Sequence, residues 1–136
     1  MKYLLDTSAL FALGVLEHEF HSRMNAWIKT LRRNEIPELA TCSITELGFL
    51  RILAQGPQYN ITVEQGQKLL SNLKTSVPVY FTFLADDHGA ADLPEWVKSA
   101  KQITDGHLAG LAKPHGAMLA TLDERIPGAF VIPGKR

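Results

Sequence analysis

Lys2-Tyr3-Leu4-Leu5-Asp6-Thr7-Ser8-Ala9-Leu10 sets an apolar run against a single acid, then follows the acid with two hydroxyl residues and a second apolar run. Tyr3-Leu4-Leu5 reads as a short strand buried on both faces, since a continuous apolar stretch this brief suits a parallel sheet. Asp6 then stands at the strand's C-terminal end, where open parallel sheets bind ligands. The arrangement recurs far along the chain, where Met118-Leu119-Ala120-Thr121-Leu122 closes on Asp123.

Outward from these two strands, hydrophobic periodicity predicts alternation. Ala9 to Leu16 is expected as a short buried helix closed at or just past Gly14. His18 to Arg33 carries Phe20, Met24, Trp27, Ile28 and Leu31 at helical spacing and reads as an amphipathic helix stopped by Asn34. Glu38 to Cys42 returns as a strand. Ser43 is expected to cap a helix through about Leu53, apolar around nearly its whole circumference and ended by Gly56-Pro57. Thr62 to Ser76 predicts another amphipathic helix, Val77 to Phe83 a strand or extended segment, and Asp86 to Leu93 a loop before a short helix from Pro94 to Ala100. Thr104 is expected to cap a helix from Asp105 to Lys113. Strand Ala117 to Leu122 and an edge strand at Phe130-Val131-Ile132 complete the order. Strands alternating with helices imply right-handed crossovers, hence an α/β chain with a parallel sheet between helical layers.

The 136 residues are expected to form a single domain, 1–136, able to bury roughly 68% of the unfolded surface. Lys plus Arg number 14 against 14 Asp plus Glu, so net charge gives no general argument for nucleic acid, and any affinity has to come from local patches. Lone Cys42 rules out an internal disulfide and reads as a small buried apolar residue in a reducing compartment. Asp6 interrupts any signal-peptide core, and the apolar run Ala9 to Leu16 is far too short to span a bilayer. A cytoplasmic protein without a membrane segment is the expectation.

Four acids sit at element ends: Asp6, Glu46, Asp105 and Asp123. Each has a structural alternative. Asp6 before Thr7-Ser8 suits an Asx turn or helix cap. Ser43-Ile44-Thr45-Glu46 fits a capping box, although Glu46 shares a face with Phe49, Leu50 and Leu53, where a carboxylate needs a partner. Asp105 in a first turn favourably meets the helix dipole, and Asp123-Glu124 suits a solvated turn before Pro127-Gly128. Together the four lie at one end of the inferred sheet. At about 4 Å and an effective dielectric of about 20, each like-charge pair costs about 4 kcal/mol. A hard cation resolves such a cluster, and all-oxygen ligands suit Mg²⁺ or Mn²⁺.

Leu5-Asp6-Thr7-Ser8-Ala9-Leu10, Ala40-Thr41-Cys42-Ser43-Ile44-Thr45-Glu46, Gln102-Ile103-Thr104-Asp105 and Leu119-Ala120-Thr121-Leu122-Asp123 resemble, in order and spacing, the motifs of PIN-domain proteins, and more narrowly the VapC-like toxins of bacterial toxin–antitoxin pairs. The resemblance implies a three-layer α/β/α domain with a central parallel sheet of four to five strands. It also implies a Mg²⁺- or Mn²⁺-dependent endoribonuclease, a cognate antitoxin and a homodimer. Asp6 and Asp105 resemble the family's metal ligands, Glu46 its helical acid that holds the metal or orients water, and Asp123 its more variable fourth acid. Gly106-His107 departs from relatives that carry a bulky aromatic at the second position, and Leu47 stands where many are polar.

The mechanism that follows is water activated on one or two metal ions and placed by Glu46 or Asp123, leaving a 5′-phosphate and a 3′-hydroxyl. Thr7, Ser8, Thr104 and Thr121 are candidates to orient the carboxylates; more plainly, they are caps and strand residues. Lys98 and Lys101, then Arg32 and Arg33, are the candidate RNA contacts, with Lys135-Arg136 as a tail; a solvated helix face is the alternative. His18 and His21 are three apart, but no second pair completes a zinc site. His107 is a further candidate substrate contact. An antitoxin is expected on a groove near Leu10, Phe11, Phe49 and Ile52. A phosphatase is the enzymatic rival, but Ser8 stands where a D-x-D nucleophile pair needs its second acid, and no G-x-x-x-x-G-K-[ST] loop is present. The remaining alternative is a catalytically silent PIN-like module that binds RNA or protein.

Overall fold

A computed structural model describes residues 1–33, 36–76 and 79–134. Five parallel strands, β1 (Lys2–Leu5), β2 (Glu38–Cys42), β3 (Tyr80–Leu84), β4 (Ala117–Thr121) and β5 (Phe130–Val131), form one sheet in the order β3-β2-β1-β4-β5. Lys2 pairs with Glu38 on one side and with Ala117 on the other. The chain therefore builds outward from β1 in one direction through β2 and β3, then resumes on the opposite side with β4 and β5. That reversal between β1 and β4 opens a crevice at their C-terminal ends.

Alternation along the strands divides the core in two. Tyr3, Leu5, Leu39 and Ala120 face helices α1 (Thr7–Gly14), α2 (His21–Leu31), α3 (Ser43–Gln55) and α4 (Val63–Ser76), meeting Leu10, Met24, Phe49 and Leu70. Leu4, Ala40, Cys42 and Leu119 face the other way onto Leu108, Leu111 and Ala112 of α5 (Ile103–Ala112). Each fully buried Leu or Phe stabilises the fold by about 1.5–3 kcal/mol. Tyr3, Trp27 and Phe130 form a ring cluster with centroids 5.1–5.6 Å apart, which ties the two-residue β5 to α2. The result is the expected three-layer α/β/α arrangement. Gly116 closes the turn into β4 at φ +68°, a conformation that favours glycine.

Several expectations give way locally. The helix expected from His18 begins at His21, because residues 16–20 turn the chain from α1 into α2. Pro94 to Ala100 forms no α-helix: Val97 N–H donates to Pro94 O at 3.1 Å, and a single turn without an extended ladder does not propagate. Thr104 does not cap α5. It is exposed inside the helix, and Gln102 occupies the cap position while its side chain accepts from the N–H groups of Lys98 and Ser99 at 2.7 and 3.2 Å. The start of α3 is capped from Cys42, whose N–H donates to Thr45 Oγ1 at 3.1 Å, so Ser43 and Glu46 form no capping box. Nor is α3 buried all round: Phe49 and Leu53 are inside, while Ile44, Leu47 and Ile52 are exposed. The expected antitoxin groove fails for the same reason, since Leu10, Phe11 and Phe49 are core residues and Ile52 alone of the four reaches the surface. Asn34, Val77 and the Lys135-Arg136 tail lie outside the described residues. Among the described residues no helix is long and apolar enough to cross a membrane.

Candidate active site

Asp6 follows β1 directly and caps α1. Its Oδ1 accepts the Ala9 N–H at 2.8 Å, and its Oδ2 accepts the Thr121 hydroxyl at 2.5 Å. An acid is well suited there, because the first turn of a helix leaves N–H groups without internal partners. Thr121 ends β4 and is fully buried; its Oγ1 also accepts the Asp123 N–H at 3.0 Å. One hydroxyl thus ties together the two strand-end acids on either side of the sheet reversal. Asp105 enters from the first turn of α5, the layer opposite α1.

Asp6, Asp105 and Asp123 line one open cleft of about 670 Å³, with Ser8, His18, Phe20, Thr121 and Arg125 among its other walls. The electrostatics are uneven. Burial raises the Asp6 carboxyl above its ordinary pKa; the Thr121 and Ala9 hydrogen bonds oppose this, and the charges of Asp105 and Asp123 add to it. Burial likewise raises Asp105, reinforced by Asp123 and opposed by Arg125. Asp123 is lowered, chiefly by its hydrogen bonds from Arg125. Two acids are therefore held where ionisation is penalised, and a bound cation relieves that penalty.

The donor set fits a hard divalent ion, since every candidate ligand is a carboxylate oxygen. Among the described residues no three His, Cys, Asp or Glu side chains stand close enough to cage a metal alone. An ion bound here would need water to complete its coordination sphere, as protein-bound Mg²⁺ commonly does.

Glu46 lies apart from the lining of this cleft. Its Oε2 accepts from Thr41 Oγ1 at 2.6 Å and is paired with Lys74 of α4, whose ammonium also stands 5.9 Å from the Phe83 ring centre. Of the candidate supporting hydroxyls, Ser8 lines the cleft and Thr121 bonds Asp6; Thr7 packs against Gly48. Lys101 joins Trp96, Asp105, Asp123 and Arg125 around an adjoining hollow of about 230 Å³. Lys98 is exposed nearby. Arg32 lines a separate groove with Lys29, Leu69 and Ser76, and Arg33 is exposed at the end of α2. His18 and His21 do not act as a pair: His18 Nδ1 accepts the Phe20 N–H at 3.0 Å, whereas His21 Nδ1 donates to Ala12 O at 2.9 Å. His107 pairs with Asp86 at 2.5 Å.

Sequence reasoning did not single out Arg125, Lys74 or Phe20 for the site. The Asp123-Glu124-Arg125 spacing carries an Asx-turn signal that points to the first. Nothing local signals Lys74, which meets Glu46 from 28 residues away.

The chain matches the PIN domain family over residues 3–129. Ribonuclease VapC38 of Mycobacterium tuberculosis is 33% identical, with 98% of this chain and 91% of the relative aligned. Ribonuclease VapC44 of the same organism is 30% identical over 98% of this chain and 94% of its own length. In three dimensions the fold is similar to VapBC2 of Rickettsia felis, solved with a DNA fragment of its promoter, at TM-score 0.60 and 16% identity over 96% of this chain and 97% of that one. It is also similar to M. tuberculosis VapC20, a toxin that cleaves the sarcin–ricin loop, at TM-score 0.59 and 14% identity over 96% and 99% of the two chains. With the sheet order, the cleft at its reversal and this sequence match in agreement, the chain belongs to the PIN domain family, among its VapC-like proteins.

Proposed function

We propose that this protein is an endoribonuclease of the VapC type, hydrolysing RNA phosphodiester bonds with Mg²⁺ or Mn²⁺ at Asp6, Asp105 and Asp123, as the toxic member of a toxin–antitoxin pair. One observation carries the reading: three carboxylates from β1, α5 and the end of β4 line one cleft, and two of them, Asp6 and Asp105, are raised by burial and by neighbouring carboxylate charge. The curated relatives, named as ribonucleases, support the substrate class.

When bound, the divalent ion supplies Lewis-acid stabilisation of phosphoryl oxygens and a water acidified toward neutral pH. The chain's own residues do the positioning. Thr121 and the Ala9 N–H fix the Asp6 carboxylate, leaving each oxygen with acceptor capacity toward the cleft. Asp105 approaches from the opposite layer. Asp123 keeps its orientation through Arg125 and the Thr121 hydroxyl. Asp123, in the cleft wall, or Glu46, which stands outside that wall with Thr41 and Lys74 as its partners, is proposed to orient the attacking water. The products are a 5′-phosphate and a 3′-hydroxyl. A cognate antitoxin, a homodimer and a cytoplasmic setting belong to the same proposal. The exposed apolar side chains Leu47 and Ile52 of α3 and Phe83 of β3 are the surface it offers to protein partners.

The test is digestion of total RNA by purified protein with Mg²⁺ or Mn²⁺, against EDTA and Asp6→Asn controls. Cleavage lost in both controls supports the proposal. Cleavage surviving in either overturns the metal mechanism, and RNA binding without cleavage under any condition favours a silent module.

A further inference from the structure

Phe20 has an anomalous position. The turn between α1 and α2 holds this large apolar ring at 36% exposure in the wall of a cleft whose lining is otherwise mostly polar and rich in carboxylates. Core packing does not explain it, and isolation does not either, because the ring is braced. The Arg23 guanidinium carbon lies 5.6 Å from its centre, and Arg23 is itself anchored to Ile132 O at 3.1 Å through Nε. The His18 ring lies 5.7 Å away at 43°, and His18 is edge-on to buried Phe11 at 5.7 Å. The Phe20 N–H donates to His18 Nδ1 at 3.0 Å, which holds the imidazole ring in place beside Phe20. Two aromatic rings are thus pre-ordered in the lining of the same cleft as the acids that would hold the divalent ion in the proposed function.

We infer that Phe20 and His18 form a nucleobase-stacking subsite, on which a base of single-stranded RNA next to the scissile phosphate is held. The inference rests on the ribonuclease reading and deepens it. Stacking suits the geometry because aromatic side chains fixed in place take up a base without paying the ordering entropy of a mobile loop. A single-stranded substrate is required, since bases in A-form duplex RNA cannot be splayed onto a side chain. The neighbouring hollow with Lys101, Arg125 and Trp96 lies on the Asp105–Asp123 side of the cleft. The aromatic wall and Lys101 in the adjoining hollow give a single strand two different footholds about the acids, a base on one and a backbone phosphate on the other.

The experiment uses the full chain and short single-stranded RNAs carrying 2-aminopurine at successive positions, whose fluorescence is quenched on stacking. Binding is read in EDTA, so that it is independent of cleavage, and cleavage is read separately with Mn²⁺. Phe20→Leu, which keeps bulk without a π face, is expected to lose the quenching and to weaken binding about tenfold, in line with stacking on one ring. Phe20→Trp is expected to retain both, which excludes misfolding at this position as the cause. Quenching and affinity unchanged in Phe20→Leu overturn the subsite even if the parent cleaves RNA, and leave the ring to a protein partner. Quenching lost in Phe20→Leu from a parent that never cleaves supports the subsite while the catalytic reading falls.

Discussion

Arg125 grips Asp123 from two residues along the chain, with Nε 3.0 Å from Oδ1 and Nη2 3.1 Å from Oδ2, while the Arg125 N–H donates to the same Oδ1 at 2.9 Å. Lys74 is paired with Glu46 through a single contact to Oε2. The two outer acids are matched by cations of their own chain, whereas Asp6 and Asp105 form no ion pair among the described residues. Of these four acids it is therefore the inner pair, next to the sheet reversal, that lacks an ion-pair partner among the described residues, and there an added cation gains most.

That balance predicts the behaviour of Arg125→Gln. The arginine side chain is 88% exposed, so losing it should leave the melting temperature close to that of the parent. It should also remove the influence that lowers Asp123 and offsets the rise at Asp105. Mn²⁺ titration by calorimetry is expected to show tighter binding in the variant. Equal or weaker binding counts against Asp123 as part of the ion site.

Asp6 gives a prediction in pH. Its folded pKa is raised above the ordinary aspartate value of 3.8, so protonated Asp6 favours the fold, and that contribution is fully present below about 3.8 and lost as pH rises through the folded value. Ionised Asp6 therefore destabilises the metal-free protein at neutral pH. In EDTA, Asp6→Asn should melt higher than the parent at pH 7, and the advantage should shrink on acidification toward pH 4. Adding Mn²⁺ should raise the parent's melting temperature and leave the variant's unchanged. A variant that melts lower than the parent at every pH would sink the account.

Thr121→Val keeps the shape of a fully buried side chain and deletes the hydroxyl shared by Asp6 and the Asp123 N–H. Leaving those groups short of a partner should cost about 1–3 kcal/mol in denaturant unfolding. Loss of orientation should also weaken Mn²⁺ binding or cleavage about 10- to 100-fold, the usual scale for residues that support metal ligands. Wild-type affinity in a destabilised variant would confine Thr121 to a packing role.

Much of this was legible in the chain because the governing signals are local. Apolar runs ending in Asp6 and Asp123 located two strands, helical periodicity found α2 and α4, and the Pro114-His115-Gly116 stop bounded α5. The misplaced details lie where local rules competed. Two capping schemes were available at the start of α3, and the structure takes Cys42 with Thr45, one residue ahead of the Ser43–Glu46 pattern. The apolar circumference of α3 does not distinguish a buried helix from one with an exposed apolar face, because both read alike in sequence. The Lys74–Glu46 pairing depends on how α4 packs on α3, which no local pattern encodes.

Lys74→Met tests the role of Glu46. If Glu46 contributes to ion binding, Lys74→Met, which removes a competing cation, and Glu46→Gln should shift Mn²⁺ affinity in opposite directions, upward and downward. If Glu46 only clips α3 to α4, both variants should lose stability by a similar amount and leave the affinity alone, with a coupling energy of about 0.5–3 kcal/mol in the double-mutant cycle. The first pattern would add Glu46 to the ion site of the proposed function; the second would leave that site to Asp6, Asp105 and Asp123.

Gly106 lies beside Asp105, and a Cβ built there would come within 2.2 Å of Val97 Cγ2. The backbone of α5 therefore runs directly against the segment before it, and that contact fixes how far Asp105 reaches into the cleft. Gly106→Ala should force Val97 or the helix to move, costing about 1–3 kcal/mol as overpacking does. Because the displaced element carries Asp105, cleavage should fall by more than the stability loss explains at a temperature where the variant remains folded. Val97→Ala removes the clashing methyl groups, so the double variant Gly106→Ala/Val97→Ala should recover cleavage relative to Gly106→Ala, even though Val97→Ala alone leaves a void. Failure of the second change to restore activity in a folded double variant would place the Gly106 requirement elsewhere than in the seating of Asp105.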